Sequence, residues 1–363
     1  MGKVLFIINQ GVYPYRVGGM EVFNYHLIKS LCKKYREIAY ISSAPYDFNG
    51  ARYISSCSLR PTKLFTPLWV FIYLLFHPEY RTVVISFSDA HWLVWKIYAL
   101  AIRLLKLKAI VVIHYGKNVP SDHYDVYRTF LQSAHKVVAV SDDIKNNYDS
   151  AFDLECNVIY PLVPFRNAVE TSAQYREFYD IPQDARVVSM VGSLKQMKNP
   201  QRVLEALSLF TKQELTLFKP FILYAGGGSM MPELMHFVQE NGLSEYVKFL
   251  GIVPNDKIGE IMTMSDVYLI ASDFEGTSVS LLEAMYNSKP IIASDVPGLR
   301  DMITDGTNGL LYDVDSSKAL KMCLIKMFSD VDLACQLGNA AKVSYEEKYS
   351  YEKMLRSYES LLL

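Results

Sequence analysis

Short apolar runs alternate along the chain with longer stretches in which apolar residues recur every three or four positions. The runs read as buried strands and the stretches as amphipathic helices, so the pattern predicts βα units around parallel sheets. In the first half the strand-like runs are Val4–Ile8, Ile38–Ile41, Val83–Ser86, Ile110–His114, Val137–Val140 and Val158–Tyr160. Helix-like stretches lie near Glu21–Lys33, His91–Lys106, Asp122–Ser133 and Asp142–Ser150. Pro161, Pro164 and Pro182 then break the rhythm. A second series follows, with strand-like runs at Val187–Val191, Phe221–Tyr224, Val247–Leu250, Val267–Ile270, Ile291–Ser294 and Leu310–Tyr312. The fold class is therefore α/β, with two doubly wound, Rossmann-like parallel sheets in series. Such sheets bind ligands at the loops on their carboxyl edge.

Composition sharpens this picture. The chain has 363 residues, and at about 150 residues per domain that favours two domains. Lys and Arg total 37 against 38 Asp and Glu, a net charge of −1, which gives no global attraction to nucleic acid. Half the residues are hydrophobic and 21% are charged, enough for packed cores and unlike a disordered chain. The five cysteines, Cys32, Cys57, Cys156, Cys323 and Cys335, form no CxxC pair, which fits a reducing compartment better than a disulfide framework. Val4–Ile8 is too short for a signal peptide's apolar region, and the longest uncharged stretch, Leu64 to Pro78 with Pro67 inside it, falls short of the ~20 residues that span a bilayer. The expected location is the cytoplasm. Charge is uneven, however: residues 51–118 hold nine basic side chains, among them Lys96, Arg103 and Lys106, against Glu79 and Asp89, and they hold all three tryptophans, Trp69, Trp92 and Trp95. With Phe65, Phe71 and Leu74 nearby, this region points to reversible contact with an anionic membrane surface.

The chemistry concentrates in the second half. The segment from Phe274 to Ala284 carries Glu275 and Glu283 and follows a strand-like run into a helical one. Gly276 permits close backbone approach, and Thr277 or Ser278 can cap the helix. The free N–H groups at its start suit an anion such as a diphosphate. Taken alone, Glu275 reads as a loop acid and Glu283 as a solvated helix residue. Around them stand Gly192-Ser193-Leu194-Lys195 with Lys198-Asn199-Pro200, Gly226-Gly227-Gly228, Gly251-Ile252-Val253-Pro254, Asp295-Val296-Pro297-Gly298 and Asp305-Gly306-Thr307-Asn308-Gly309.

In order and spacing, this series resembles the retaining nucleotide-sugar glycosyltransferases of the two-Rossmann-domain (GT-B) type, glycosyltransferase family 4. Gly18-Gly19-Met20-Glu21 looks like that family's amino-terminal glycine loop, Ala134 to Ser141 like its strand ending in serine, and Tyr349-Ser350-Tyr351 like the start of its last helix. The resemblance implies an acceptor-facing domain over 1–165, a nucleotide-sugar-binding domain over 166–345 across a cleft, and a terminal helix, 346–363, crossing back to the first domain. It places Glu275 near the donor sugar hydroxyls, Glu283 on the ribose, and the amides of Thr277–Val279 on the distal phosphate and sugar. It also places Ile252 and Val253 at the nucleobase and Lys198 on the diphosphate. His114 falls where similar enzymes face the donor sugar, while a structural histidine at a strand end is the alternative. Glycines 226–228 read as a strand-to-helix turn rather than a ligand contact.

Two positions depart from the family pattern. Ser193 stands where an Arg is usual, and Lys195, two positions on, is the candidate replacement. Tyr13-Pro14-Tyr15-Arg16, before the glycine loop, is unusually aromatic, and Arg16 fits acceptor or phosphate binding and a solvated charge equally. The chain has no GxxxxGK[ST] loop, HExxH or GxSxG, and its seven histidines show no metal-ligand spacing. No metal and no cofactor is expected; Asp313 and Asp315 read as a turn. The expected function is transfer of a sugar, from a UDP-sugar on family frequency, to a hydroxyl of a saccharide or lipid-linked saccharide. A catalytically idle nucleotide-sugar binder and a nucleotide-sugar 2-epimerase of the same fold are the rival readings.

Overall fold

The computed structural model describes residues 3–8, 19–32, 37–42, 46, 48, 50–55, 65–87, 91–114 and 123–362. The chain divides into two compact units, Met1–Pro164 with Tyr351–Leu363, and Phe165–Ser350.

In the first unit the strands are β1 (Val4–Ile8), β2 (Ile38–Ser42), β3 (Ala51–Ser55), β4 (Thr82–Phe87), β5 (Lys108–Ile113), β6 (Lys136–Ala139) and β7 (Asn157–Val158). They pair in parallel in the order β3-β2-β1-β4-β5-β6-β7. β1 and β2 are buried at every position, as expected of strands covered on both faces. The last helix, Tyr351–Leu362, belongs to this unit: the Tyr351 hydroxyl donates to Ser30 Oγ (2.8 Å), and the Tyr358 ring lies 5.7 Å from that of Phe23.

Two elements here differ from the sequence pattern. β3 is an edge strand whose Arg52 and Ser55 are exposed, so it lacks the continuous apolar run that marks the inner strands. The stretch around Pro67 is a helix, Phe65–Phe76. Pro67 sits in its first turn, where a backbone N–H would have no helical partner anyway.

In the second unit β8 (Arg186–Val191), β9 (Pro220–Ala225), β10 (Val247–Phe249), β11 (Val267–Ile270), β12 (Ile291–Ser294) and β13 (Leu310–Tyr312) form a parallel sheet ordered β10-β9-β8-β11-β12-β13. Apolar residues from the strands and flanking helices, including Val188, Leu204, Tyr224, Leu269 and Leu324, close one core on this sheet, and Val187, Leu223 and Ile261 contribute to another. Strand order reverses direction between β8 and β11. In doubly wound sheets such a reversal point, at the carboxyl ends of the strands, is where ligands bind.

Candidate functional site

The loop after β8 enters a single 3₁₀ turn, Gln196–Lys198, and the loop after β11 enters the helix Val279–Tyr286. Side chains join these two loops across the switch point. Lys198 Nζ donates to Glu275 Oε1, Asn199 Nδ2 donates to Asp273 Oδ1 (3.0 Å), and the Asp273 N–H donates to the Met197 carbonyl (3.0 Å). The same Glu275 oxygen accepts from Ser272 Oγ (2.8 Å), while Ser294 Oγ holds the Ser272 carbonyl (2.6 Å). Glu275 is buried. A buried carboxylate is costly unless paired and hydrogen-bonded, and Lys198 and Ser272 supply both.

Glycines set the distances between neighbouring loops. A Cβ at Gly298, whose φ is +80°, would lie 2.1 Å from the Glu275 carbonyl oxygen. One at Gly226 would lie 1.7 Å from the Gly192 oxygen, and one at Gly228 2.2 Å from that of Leu194. Gly226 and Gly228 therefore let the β9 turn lie against the β8 loop, which accounts for them without a ligand. Gly226 also bridges to Gly251, and Gly227 lies beside the Ile252 side chain. Ile252 is 79% exposed, an apolar surface at the rim of the loops; Val253 follows it, half-buried.

Ser278 caps the helix Val279–Tyr286 by accepting from the Leu281 N–H (3.3 Å). Ser280 fastens this helix start to the end of β8, donating to the Val191 carbonyl (3.2 Å) and accepting from the Tyr268 hydroxyl (2.8 Å). The first N–H groups of a helix have no partner within it, and they carry its positive end. That end is thus held over β8 and β11, next to Glu275, Gly276 and Thr277. Glu283, inside the helix, is buried, and no described residue hydrogen-bonds its carboxyl group. Burial pushes its pKa up to about 8. The solvated reading of Glu283 is overturned, because its neighbours Leu281, Leu282, Ala284 and Met285 are buried too.

The structure thus gathers Lys198, Glu275, Gly276, Thr277, Ser278, Val279 and Glu283 on two fastened loops and one helix, with Ile252 and Val253 on a neighbouring loop. Ser193 is half-buried in the β8 loop, and Lys195 is exposed with no ion-pair partner among the described residues. His114 is in the first unit, directly after β5. Its Nε2 shares a 2.9 Å hydrogen bond with Ser86 Oγ, and its ring stands edge-on to Phe23 at 4.8 Å. Burial lowers its pKa to about 3, so the ring is neutral. Gly19 opens the helix Gly19–Leu31; Gly18 and Tyr13–Arg16 lie outside the described residues. Sequence reasoning missed Ser272 and Asp273 and gave Asn199 no role beyond its place in the Lys198-Asn199-Pro200 motif; these three fix the two loops, and only their nearness to Glu275 and Lys198 in the sequence marks them. Among the described residues no group of three or more His, Cys, Asp or Glu side chains is placed to hold a metal ion.

Comparisons with known proteins find similarity to glycosyltransferases. Residues 171–344 match the family model of the glycosyl transferases, group 1. N-acetyl-α-D-glucosaminyl L-malate synthase of Bacillus anthracis is 25% identical over 65% of this chain, which spans 58% of that protein. An uncharacterized glycosyltransferase of Methanocaldococcus jannaschii is 25% identical over 99% of this chain and 98% of its own length. Among solved structures, Anabaena HepE in complex with UDP-glucose superposes with a TM-score of 0.81 at 17% identity, covering 100% of this chain and 99% of that one. This last likeness shows the shared two-Rossmann-unit, GT-B fold. With the sheet order, the switch-point loops and these relatives in agreement, the chain is similar to glycosyltransferases of this fold, and its residues 171–344 match the model of the glycosyl transferases, group 1.

Proposed function

We propose that the protein is a retaining, metal-independent glycosyltransferase that moves a sugar from a UDP-sugar to an acceptor hydroxyl. The acceptor is a growing glycan or lipid-linked saccharide in cell-surface polysaccharide synthesis, met at the inner face of the cell membrane. The observation that carries this reading is the Lys198–Glu275 pair, held beside the start of the helix Val279–Tyr286. It sets a cation, a carboxylate and a helix's positive end around one point, the demand of a diphosphate bearing a sugar. That HepE was solved with UDP-glucose supports the choice of nucleotide.

In this reading Glu283 accepts hydrogen bonds from the ribose hydroxyls, and the backbone of Ile252 and Val253 meets the base. The Thr277–Val279 amides and Lys198 take the diphosphate, with Lys195 supplying the charge that an Arg would bring at Ser193. Glu275 orients the sugar, and neutral His114 binds its primary hydroxyl. The acceptor oxygen bonds to the anomeric carbon on the face from which the diphosphate departs. The anomeric C–O bond breaks toward phosphate, and the departing phosphate oxygen takes the acceptor proton. The growing negative charge on the leaving group makes electrostatic stabilisation the dominant contribution.

A thermal-shift series over nucleotides tests the donor assignment. A ligand at about 100 times its dissociation constant stabilises by about 2.7 kcal/mol, so UDP should raise Tm and Glu283→Ala should reduce the rise. If no nucleotide raised Tm, the donor site would be removed.

A further inference from the structure

The connections β3 to β4 and β4 to β5 step across the first sheet in the same direction. Right-handed crossovers therefore place their helices, Phe65–Phe76 and Trp92–Leu105, on one face of the sheet, where they pack side by side. Each turns apolar side chains to solvent. On the first these are Leu68, Ile72, Leu75 and Phe76, spaced as one helical stripe, with Phe76 78% exposed; on the second they are Leu100 and Leu104. Neighbouring exposed apolar residues of this size mark an interaction surface.

The stripe differs from the residues that the sequence singled out. Leu74 and Trp95 are buried, and Trp95 stacks on Phe130 at 5.1 Å. Trp69, Tyr73 and His77 form a half-buried ladder of stacked rings along the first helix, 5.4 and 4.1 Å apart.

Charge decides the occupant. The first helix carries no charged side chain. On the second, Lys96 and Arg103 share the outward side with Leu100 and Leu104, and Lys106 closes the helix. All three cations are exposed, and none forms an ion pair among the described residues. Glu79, just past the first helix, lies 3.1 Å from His77 Nδ1. An apolar stripe flanked by unpaired cations on flexible stems matches the boundary between acyl chains and anionic headgroups. We infer that the outer face of this helix pair docks the first unit onto an anionic bilayer, the apolar stripe entering the interface and the cations meeting lipid phosphates. The inference deepens the reading of the acceptor as membrane-borne and rests on it.

Vesicle cosedimentation tests it, with phosphatidylcholine alone and phosphatidylcholine mixed with phosphatidylglycerol. The protein should bind the mixed vesicles and lose them at high salt. Ile72→Glu with Phe76→Glu should abolish binding, and Lys96→Glu, Arg103→Glu and Lys106→Glu together should weaken it by roughly 10²-fold or more, since each cation near the surface counts for about tenfold or less before its sign is reversed. Unaltered thermal unfolding of these surface variants confirms that they fold. Equal binding to both vesicle types, or no binding to either, overturns the proposal; so does a dimer in solution that the same variants dissociate while vesicles go unbound. Transfer to a vesicle-free saccharide reports on the glycosyltransferase reading instead, so its loss with vesicle binding intact refutes that reading and leaves docking standing.

Discussion

Raising the pH from 7 to 9 should tighten UDP binding about tenfold through Glu283. Its carboxyl is pushed up to about 8 by burial, so roughly one-tenth is ionised at pH 7 and nine-tenths at pH 9. The ribose assignment needs the carboxylate, which accepts two hydroxyl hydrogens. The free protein must first lose a proton, and apparent affinity scales with the ionised fraction. Binding at pH 7 should therefore release close to one proton. The effect on stability has the opposite slope. Between about 4.5 and about 8 the folded state holds a proton that the unfolded state has lost, so stability falls as pH rises through that window and levels off above it, by roughly 5 kcal/mol at most. Calorimetric titration of UDP in buffers of different ionisation enthalpy measures both the affinity and the protons released. Glu283→Gln supplies the baseline, since the phosphate of UDP titrates identically against both proteins. Identical pH dependence in the wild type and Glu283→Gln would refute the assignment.

The other predictions address the two loops. Glu275→Gln should remove most turnover while leaving UDP affinity nearly unchanged by calorimetry, whereas Glu283→Ala should weaken UDP binding itself; one profile for both would contradict the division of roles. Lys198→Ala should lower kcat by roughly 10²–10³, the scale of one preorganised electrostatic contact. Lys195→Ala should cost more than an ordinary surface change, and Ser193→Arg should partly restore it, because charges serving one phosphate are not additive; unchanged kcat in Lys195→Ala would remove that residue from the site. Gly298→Ala should destabilise by roughly 2–4 kcal/mol in denaturant unfolding, since the added carbon meets the Glu275 carbonyl at 2.1 Å; a neutral effect would mean that the loop carrying Glu275 is not held there. Turnover should persist in excess chelator, and its loss would contradict a metal-independent reaction.

The inner strands were legible because burial on both faces demands unbroken apolar runs: Val4–Ile8, Val267–Ile270 and Ile291–Ser294 stand as the sequence pattern places them. β3 was not, being a half-exposed edge, nor was Phe65–Phe76, a helix apolar all round with Pro67 in its first turn. In the candidate site, the motif order located the loops, but not the contacts between them. Lys198 and Glu275 are separated by 77 positions, and only the reversal of strand order between β8 and β11 brings them together. The burial of Glu283 was equally hidden, because a carboxylate in a short helix reads as solvent-facing until its neighbours are seen to be enclosed. Outward and inward faces in the basic, aromatic region were also misjudged: Trp95 and Leu74 pack inward, and Ile72 and Phe76 face out.

The measurement that tests the central claim most directly is nucleotide release from UDP-sugars, with and without saccharide or lipid-linked saccharide, with the product's anomeric configuration read by NMR. Release that depends on acceptor, with the donor's configuration kept in the product, is the predicted result. Binding of UDP-sugar without acceptor-dependent release would make the chain a nucleotide-sugar binder, and release of nucleotide with a free 2-epimer and no acceptor would make it an epimerase; either would contradict the account.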